Sequence, residues 1–189
     1  VALQHATNKQ NISDGIFYGL EKPADTLFAS TVPYCDIELE PYVYDLELAG
    51  QILDEAGWKM GSGNVREKDG QQLNIDLLYN SDSVTEKSIA EYLQSEYQSI
   101  GVSLNIHGEE EQSYRDNMKA GNFDMVFNIC WGTPYDPQSS LAAMRAPVYG
   151  DYAAQLGLDD KAEIDDAITE ILITTDENRR QELYTYVLT

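Results

Sequence analysis

Apolar and polar positions along the chain predict one strand and one following loop around which the rest is arranged. Residues 123–129 are apolar except for Asp124 and Asn128, which is typical of a strand covered on both faces. A glycine and a proline end this pattern, and Asp136 followed by Pro137 predicts the capped start of a helix. The residues in between therefore form a strand-to-helix loop. In open α/β sheets, loops at the carboxyl ends of the strands hold ligands.

Two further strands are predicted before this one, and helical patterns separate all three. Residues 73–78 and 102–106 have the apolar positions of strands, and the helix between them begins with a capping box of Ser83 and Glu86. A shorter helix leads from the second strand into 123–129. The order strand, helix, strand, helix, strand requires parallel pairing with right-handed crossovers. The sequence therefore predicts an α/β fold, with these three strands parallel in one sheet and helices on both of its faces.

Capping residues and turn residues indicate other elements. Asp45 precedes apolar residues at i, i+3 and i+4 spacing, which predicts an amphipathic helix, and Asp176 is placed to cap the last helix. Asp69 and Gly70 are typical of the tight turn of a β-hairpin. Residues 21–44 contain three prolines and no helical period, so we expect an ordered but irregular segment there.

Charge and composition narrow the class of protein. The chain has 12 Lys and Arg residues against 33 Asp and Glu residues, a net charge of −21. This charge disfavours binding to nucleic acid or to an anionic membrane surface, while cationic ligands remain open. The sequence has no run of about 18 apolar residues and predicts no membrane span. The chain starts at Val1 inside a helical pattern and ends inside another, and we interpret it as an excerpt of a longer polypeptide.

Residues that commonly perform catalysis or bind metal are scarce. The two histidines are His5 and His107, and neither has a local partner for nucleophilic or acid–base catalysis. The common catalytic and nucleotide-binding motifs are absent from the sequence. Residues 107–111 read HGEEE and suggest metal binding, but acidic residues favoured in the first turn of a helix are the stronger interpretation. Cys35 and Cys130 stand at no metal-binding spacing, and a disulfide between them stays open.

The loop after the third strand contains the best candidates for ligand contact. Trp131, Thr133 and Tyr135 lie on this loop, and Tyr149 follows in the next irregular segment. An aromatic-lined ligand wall is at least as well supported at this position as core packing. Full burial of Trp131 would instead favour a protein-interaction module. A carboxylate-dependent α/β hydrolase or transferase is the enzymatic alternative.

Several segments resemble one family of transport proteins. Residues 44–58 read YDLELAGQILDEAGW. They resemble the Y-D-x-x-x-A-x-x-L-L-x-E-A-G-W signature of the peptide/nickel family of ABC-importer substrate-binding proteins, the bacterial extracellular solute-binding protein family 5. The segments that resemble its nickel-binding branch are REKDGQ at 66–71, GEEEQS at 108–113 and WGTPYDP at 131–137, followed by Met144, Arg145 and Pro147. The resemblance covers essentially all 189 residues.

This resemblance implies a function and a location. Members of the family are two-lobed proteins that close on a ligand in the periplasm, or lipid-anchored at the cell surface, and deliver it to the membrane subunits of an ABC permease. By resemblance, residues 1–189 form most of the carboxyl-terminal lobe, which is periplasmic-binding-protein-like (type II), and the amino-terminal lobe and final segment are absent. The implied ligand is nickel in a small-molecule chelate, with an oligopeptide as the alternative. Neither a cofactor nor catalysis is implied.

The resemblance also assigns roles to the candidate residues. Trp131 and Tyr135 match aromatic residues of the ligand cleft in nickel-binding relatives. A histidine that ligates nickel in relatives lies shortly after the M-R-x-P segment, and Tyr149 occupies that position here. A neutral phenol, with a pKa of about 10, coordinates Ni(II) poorly compared with imidazole. We therefore expect no metal ligand from this chain, and a Tyr149 that packs against a chelate or hydrogen-bonds to it.

Overall fold

The computed structural model describes residues 1–129 and 136–189, which divide into two units. The first unit comprises Val1–Pro23, Pro41–Arg115 and Phe123–Phe127, and the second comprises Ala24–Glu40, Asp116–Asn122 and Asn128–Thr189. Each unit has its own cluster of buried apolar side chains. The predicted α/β character is confirmed, since helices and a parallel sheet occur together.

Helices open and close the chain, and strands and helices alternate only in its middle, between residues 74 and 144. In chain order the described helices are α1 (Ala2–His5), α2 (Lys9–Ile16), α3 (Leu46–Glu55), α4 (Val84–Ser99), α5 (Glu111–Ala120), α6 (Gln138–Met144), α7 (Gly150–Ala154), α8 (Lys161–Ile173) and α9 (Glu177–Leu188). The described strands are β1 (Lys59–Met60), β2 (Arg66–Lys68), β3 (Gln71–Gln72), β4 (Asn74–Asn80), β5 (Ser103–Glu109) and β6 (Met125–Val126).

The first unit contains the parallel sheet that the sequence predicts. Its strand order is β5-β4-β6, and both neighbours pair with β4 in parallel. The register of β4 and β5 runs from Asn74 opposite Ser103 to Asn80 opposite Glu109. The central strand β4 comes first of the three in the chain, and the connections through α4 and α5 cross over as expected for βαβ units.

The third strand is shorter than the predicted 123–129. Only Met125 and Val126 pair as a strand, and both are half-buried. The carbonyl oxygen of Phe127 accepts a hydrogen bond from the hydroxyl group of Tyr114, so a side chain satisfies it at the point where the strand ends. Ile129 is 65% exposed. The expectation of a seven-residue strand covered on both faces is therefore wrong, because its apolar end does not enter the core.

The two faces of β4 and β5 differ. Leu77, Tyr79 and Leu104 are buried in the core on which α4 packs. On the opposite face Asp76 and His107 are exposed, with the His107 Nε2 atom 3.1 Å from Asp76 Oδ1. Helices were predicted on both faces of the sheet. Among the described residues, no helix covers the face at Asp76 and His107, and both side chains are exposed.

Capping residues and turn residues predicted several helix starts and one turn correctly. Asp45 accepts a hydrogen bond from the Leu48 N–H group at 2.9 Å, as predicted for a cap. Asp69 and Gly70 both have positive φ angles, 53° and 79°, and join β2 to β3 as the predicted hairpin turn. Asp176 caps α9 through the N–H groups of residues 178 and 179. Residues 21–44 form turns and irregular structure, as expected.

The predicted capping box at α4 is half formed. Ser83 Oγ accepts from the Glu86 N–H group at 3.2 Å. The Glu86 carboxylate accepts instead from the N–H group of Asn80, the last residue of β4, at 2.8 Å. Glu86 is buried, so this bond ties the end of the strand to the start of the helix.

The second unit packs α6 and α9 against α8. Leu141, Ile168, Ile171 and Tyr184 are fully buried at its centre. Cys35 lies in the same cluster as a buried free thiol, and burial, followed by the nearby Asp136 carboxylate, raises its pKa. Cys130 lies outside the described residues, so a disulfide between the two cysteines, which the sequence left open, is not tested.

Within the described part of the chain, no helix combines the length and apolar character needed to span a membrane.

Candidate functional site

Three of the four predicted ligand-binding residues lie outside the described part of the chain. Trp131, Thr133 and Tyr135 fall between residues 129 and 136, and their roles stay predictions. The fourth, Tyr149, is described. The burial of Trp131, on which the protein-interaction alternative depends, is likewise untested.

Tyr149 lies in the second unit, directly before α7. Its backbone is extended, with φ −115° and ψ 149°, and the residue is 50% exposed. The N–H group of Tyr149 donates to the Ala146 carbonyl at 3.1 Å, which closes the turn that follows α6. Val148 beside it is also exposed. This short segment therefore presents apolar and aromatic surface with one phenolic hydroxyl group, as a ligand wall requires.

The residues after Tyr149 are held by two contacts within the second unit. Asn128 Nδ2 donates a hydrogen bond to Asp151 Oδ1 at 3.0 Å. Gly150 is buried, and a Cβ atom placed on it would lie 2.3 Å from Met118 Cγ. The start of α7 thus approaches α5 as closely as a glycine allows.

Asp136, the first described residue after the candidate loop, accepts three hydrogen bonds. Asp136 Oδ1 accepts from the Gln138 N–H group at 2.7 Å and from the Tyr184 hydroxyl group at 2.8 Å. Asp136 Oδ2 accepts from Arg180 Nη2 at 2.9 Å. The predicted cap therefore exists, but the helix starts one residue later than expected, since Pro137 precedes α6 instead of opening it.

The two α9 residues that bond to Asp136, Arg180 and Tyr184, both pack against the ring of Tyr34. The ring of Tyr34 stacks on Tyr184, with centroids 4.8 Å apart and an interplanar angle of 2°. The Arg180 guanidinium lies 5.1 Å from the Tyr34 ring centroid. Burial, and then the hydrogen bond to Asp136, raises the pKa of Tyr184. Sequence reasoning missed this network. The only available signal was the i, i+4 spacing of Arg180 and Tyr184, which puts both on one side of α9.

The two histidines take part in structural contacts of the first unit. His5 Nδ1 lies 2.8 Å from the Val43 carbonyl oxygen, and its ring meets Tyr42 edge to face. His107 contacts Asp76, whose pKa is lowered by the hydrogen bond from Asn105 and then by that from His107. Among residues 1–129 and 136–189, no group of three or more His, Cys, Asp and Glu side chains could hold a metal ion.

In the acidic run at 107–111, the helix-dipole interpretation holds for Glu111 only, since Glu109 ends β5 and does not belong to the helix. Glu111 lies in the first turn of α5. Its carboxylate accepts from Asn80 Nδ2 at 2.5 Å and also pairs with Arg115 one turn further along the helix. These contacts join the end of β4 to α5 within the first unit.

Comparison with known proteins gives a consistent result. The family described as "Bacterial extracellular solute-binding proteins, family 5 Middle" matches residues 1–151. The nickel-binding periplasmic protein of Escherichia coli is 43% identical over all 189 residues, which correspond to 36% of its own length. The dipeptide-binding protein of Escherichia coli is 26% identical over 183 residues, 97% of this chain and 33% of that protein.

A solved structure shows the same fold. The crystal structure of NikA from Brucella suis in complex with Fe(III)-EDTA superposes with a TM-score of 0.94 at 47% identity. The match covers 99% of this chain and 38% of NikA. The chain thus spans little more than a third of the length of these relatives.

Proposed function

Since the chain belongs to the bacterial extracellular solute-binding proteins of family 5, with the α/β fold of type II periplasmic-binding proteins, we propose a role in solute import. In this role it is part of the solute-binding component of an ABC importer. The solute is nickel held in a small-molecule chelate. The 189 residues form most of the carboxyl-terminal lobe of a longer, two-lobed protein.

The observation that supports nickel most directly is likeness along the entire chain. The relative in Escherichia coli is named for nickel binding, and NikA from Brucella suis was crystallised with a metal already enclosed by EDTA. A chelate differs from a bare ion in the surface that it offers. Its carboxylates and methylene groups call for hydrogen-bond donors and aromatic surface in the protein, whereas a bare ion needs several ligand atoms.

The described residues suit a chelate better than a bare ion. Tyr149 offers a half-exposed phenol, which is a hydrogen-bond donor and an apolar surface but a poor neutral ligand for Ni(II). Trp131, Thr133 and Tyr135 complete the proposed wall of the site. In this proposal the chelator supplies the metal ligands, and the protein encloses the complex.

Location and partners follow from the family. Its members are extracellular solute-binding proteins, which indicates a place outside the cytoplasm. We propose the periplasm, or a lipid anchor at the cell surface, and delivery of the ligand to the membrane subunits of an ABC permease. The family is one of binding proteins, and we propose that this protein catalyses no reaction.

An oligopeptide is the second candidate ligand. It is favoured by similarity to the dipeptide-binding protein of Escherichia coli, which extends over nearly the whole chain. A peptide and a nickel chelate share carboxylate groups and amine nitrogens, so both suit a wall of aromatic and hydroxyl groups.

Calorimetry with matched ligands separates these candidates. The full-length protein is titrated with Ni(II) in excess L-histidine, with Fe(III)-EDTA, with NiCl2 alone and with the peptide Ala-Ala-Ala. We expect saturable binding of one equivalent of at least one chelate, and weaker binding of NiCl2 and peptide. Binding of peptide alone would establish the second candidate, and binding of none of the four would contradict both.

A further inference from the structure

Two side-chain contacts hold the segment directly after Tyr149, and we propose that these contacts position Tyr149 for the ligand. They are the hydrogen bond from Asn128 to Asp151 and the close approach of Gly150 to Met118. Asn128 and Asp151 are then positioning residues, which act on the ligand through Tyr149. This inference rests on the proposed function, because it concerns the same ligand wall.

The hydrogen bond joins two segments that are distant in sequence. Asn128 follows the third strand, and Asp151 lies in the first turn of α7, two residues after Tyr149. The two side chains are exposed or half-buried, yet their atoms meet at 3.0 Å across a separation of 23 residues. Through this bond the exit of the strand holds the start of the helix that follows Tyr149.

Gly150 adds a steric restraint. A Cβ atom at this position would meet Met118 Cγ at 2.3 Å and Met118 Sδ at 2.9 Å. Real Cβ atoms essentially never show contacts below 3 Å, so a larger residue at position 150 would have to displace Met118 or the start of α7. Gly150 is buried, whereas Tyr149 directly before it is 50% exposed.

Positioning matters because a binding residue that is already ordered loses less entropy when the ligand arrives. Ordering a mobile side chain on binding loses conformational entropy and so reduces the binding free energy, and ordering a whole loop reduces it further. Without the bond to Asn128, the start of α7 has one fewer restraint and Tyr149 samples more positions. Affinity then falls although no group that touches the ligand has changed.

The test is a double-mutant cycle in the full-length protein, with Fe(III)-EDTA and Ni(II) in excess L-histidine as probes. Asn128→Ala and Asp151→Ala are expected to weaken binding by about two- to tenfold, the scale of one hydrogen bond. Asp151→Asn keeps an acceptor oxygen for Asn128 and should retain wild-type affinity. Asp159→Ala removes an exposed carboxylate of the same unit and controls for loss of charge.

The second arm repeats these substitutions in a Tyr149→Ala background. If Asn128 and Asp151 act through Tyr149, they have no further effect there. An equal loss of affinity in both backgrounds, or no loss on Asn128→Ala, would overturn the inference. If wild-type protein binds neither probe, the proposed function fails and this inference fails with it, whereas normal wild-type binding with unaffected variants refutes the inference alone.

Discussion

Tyr149 is the described residue at which the proposed contact with a metal chelate can be tested most directly. The family resemblance places a histidine ligand at this position in nickel-binding relatives, and the chain has a phenol instead. The structure leaves that residue half-exposed at the start of α7, in reach of solvent and hence of a ligand. A phenol can donate one hydrogen bond and offer a ring face, and both suit a chelate whose metal is already fully coordinated.

Substitution of Tyr149 tests this role at the scale of single atoms. Tyr149→Phe in the full-length protein removes the hydroxyl group and keeps the ring. We expect the affinity for a preformed chelate to stay within about tenfold of wild type, since one neutral hydrogen bond is lost. Tyr149→His should increase the affinity for nickel held by a weaker chelator, because it provides an imidazole nitrogen. Calorimetry measures both.

Direct coordination of the metal by the Tyr149 phenolate would give a different result. If the phenolic oxygen coordinates the metal, Tyr149→Phe abolishes nickel binding. X-ray absorption of the wild-type complex would then show a protein oxygen among the metal ligands.

Sequence patterns could predict Tyr149 as a candidate but not the network around Asp136. The capping role of Asp136 depends on neighbours in sequence, and this part was predicted to within one residue. The bonds from Arg180 and Tyr184 span more than 40 residues, and nothing local indicates them. Capping residues and helical periodicity depend only on neighbours in sequence. They can therefore predict that Asp136 caps a helix, but not that it accepts hydrogen bonds from residues far along the chain.

At the scale of elements, α9 stabilises the start of α6 through Tyr184 and Arg180. Tyr184 is fully buried, and its ring stacks on Tyr34 while its hydroxyl group donates to Asp136. Asp136 retains some exposure, with 33% of its side chain accessible. The carboxylate is therefore held by charge-assisted bonds without being fully desolvated.

Two tyrosines on α9 form a matched pair for measuring this contribution. Tyr184→Phe removes one donor from Asp136 and should lower the free energy of unfolding by about 1–2 kcal/mol, because the bond reaches a charged acceptor. Tyr186→Phe alters a residue of the same helix that is 45% exposed and should change stability by less than about 0.5 kcal/mol. Urea unfolding measures both. Equal effects of the two substitutions would show that the bond to Asp136 adds no stability.

The bounds of an element were predicted well where hydrophobic periodicity and a capping residue indicated the same start. They were predicted less well where contacts between distant residues determine them. The parallel pairing of β4 with β5 and β6 followed from the order of elements, and it is confirmed. The strand predicted over 123–129 is shortened because apolar content does not reveal whether a segment stays in the sheet. Likewise, Glu86 has the spacing of a capping box but bonds to Asn80, a partner that only the folded chain brings near.

At the scale of the whole molecule, the chain is strongly acidic, and several of its cationic side chains pair with carboxylates. Arg66, Lys161, Arg179 and Arg180 each pair with a carboxylate. The net charge of −21 repels an anionic chelate, and we therefore propose that the attraction comes from groups outside these 189 residues. Since the chain spans little more than a third of its relatives' length, we propose that the remaining ligand contacts lie in the rest of a longer protein.

The most direct test compares the 189-residue chain with the full-length protein in parallel titrations. Both are titrated calorimetrically with Fe(III)-EDTA and with Ni(II) in excess L-histidine, after circular dichroism confirms that the chain is folded. The full-length protein should bind one equivalent. The chain alone should bind at least about a hundredfold more weakly, because a ligand on one wall keeps most of its surface in water. Saturable one-to-one binding by the 189-residue chain with the affinity of the full-length protein would contradict this account.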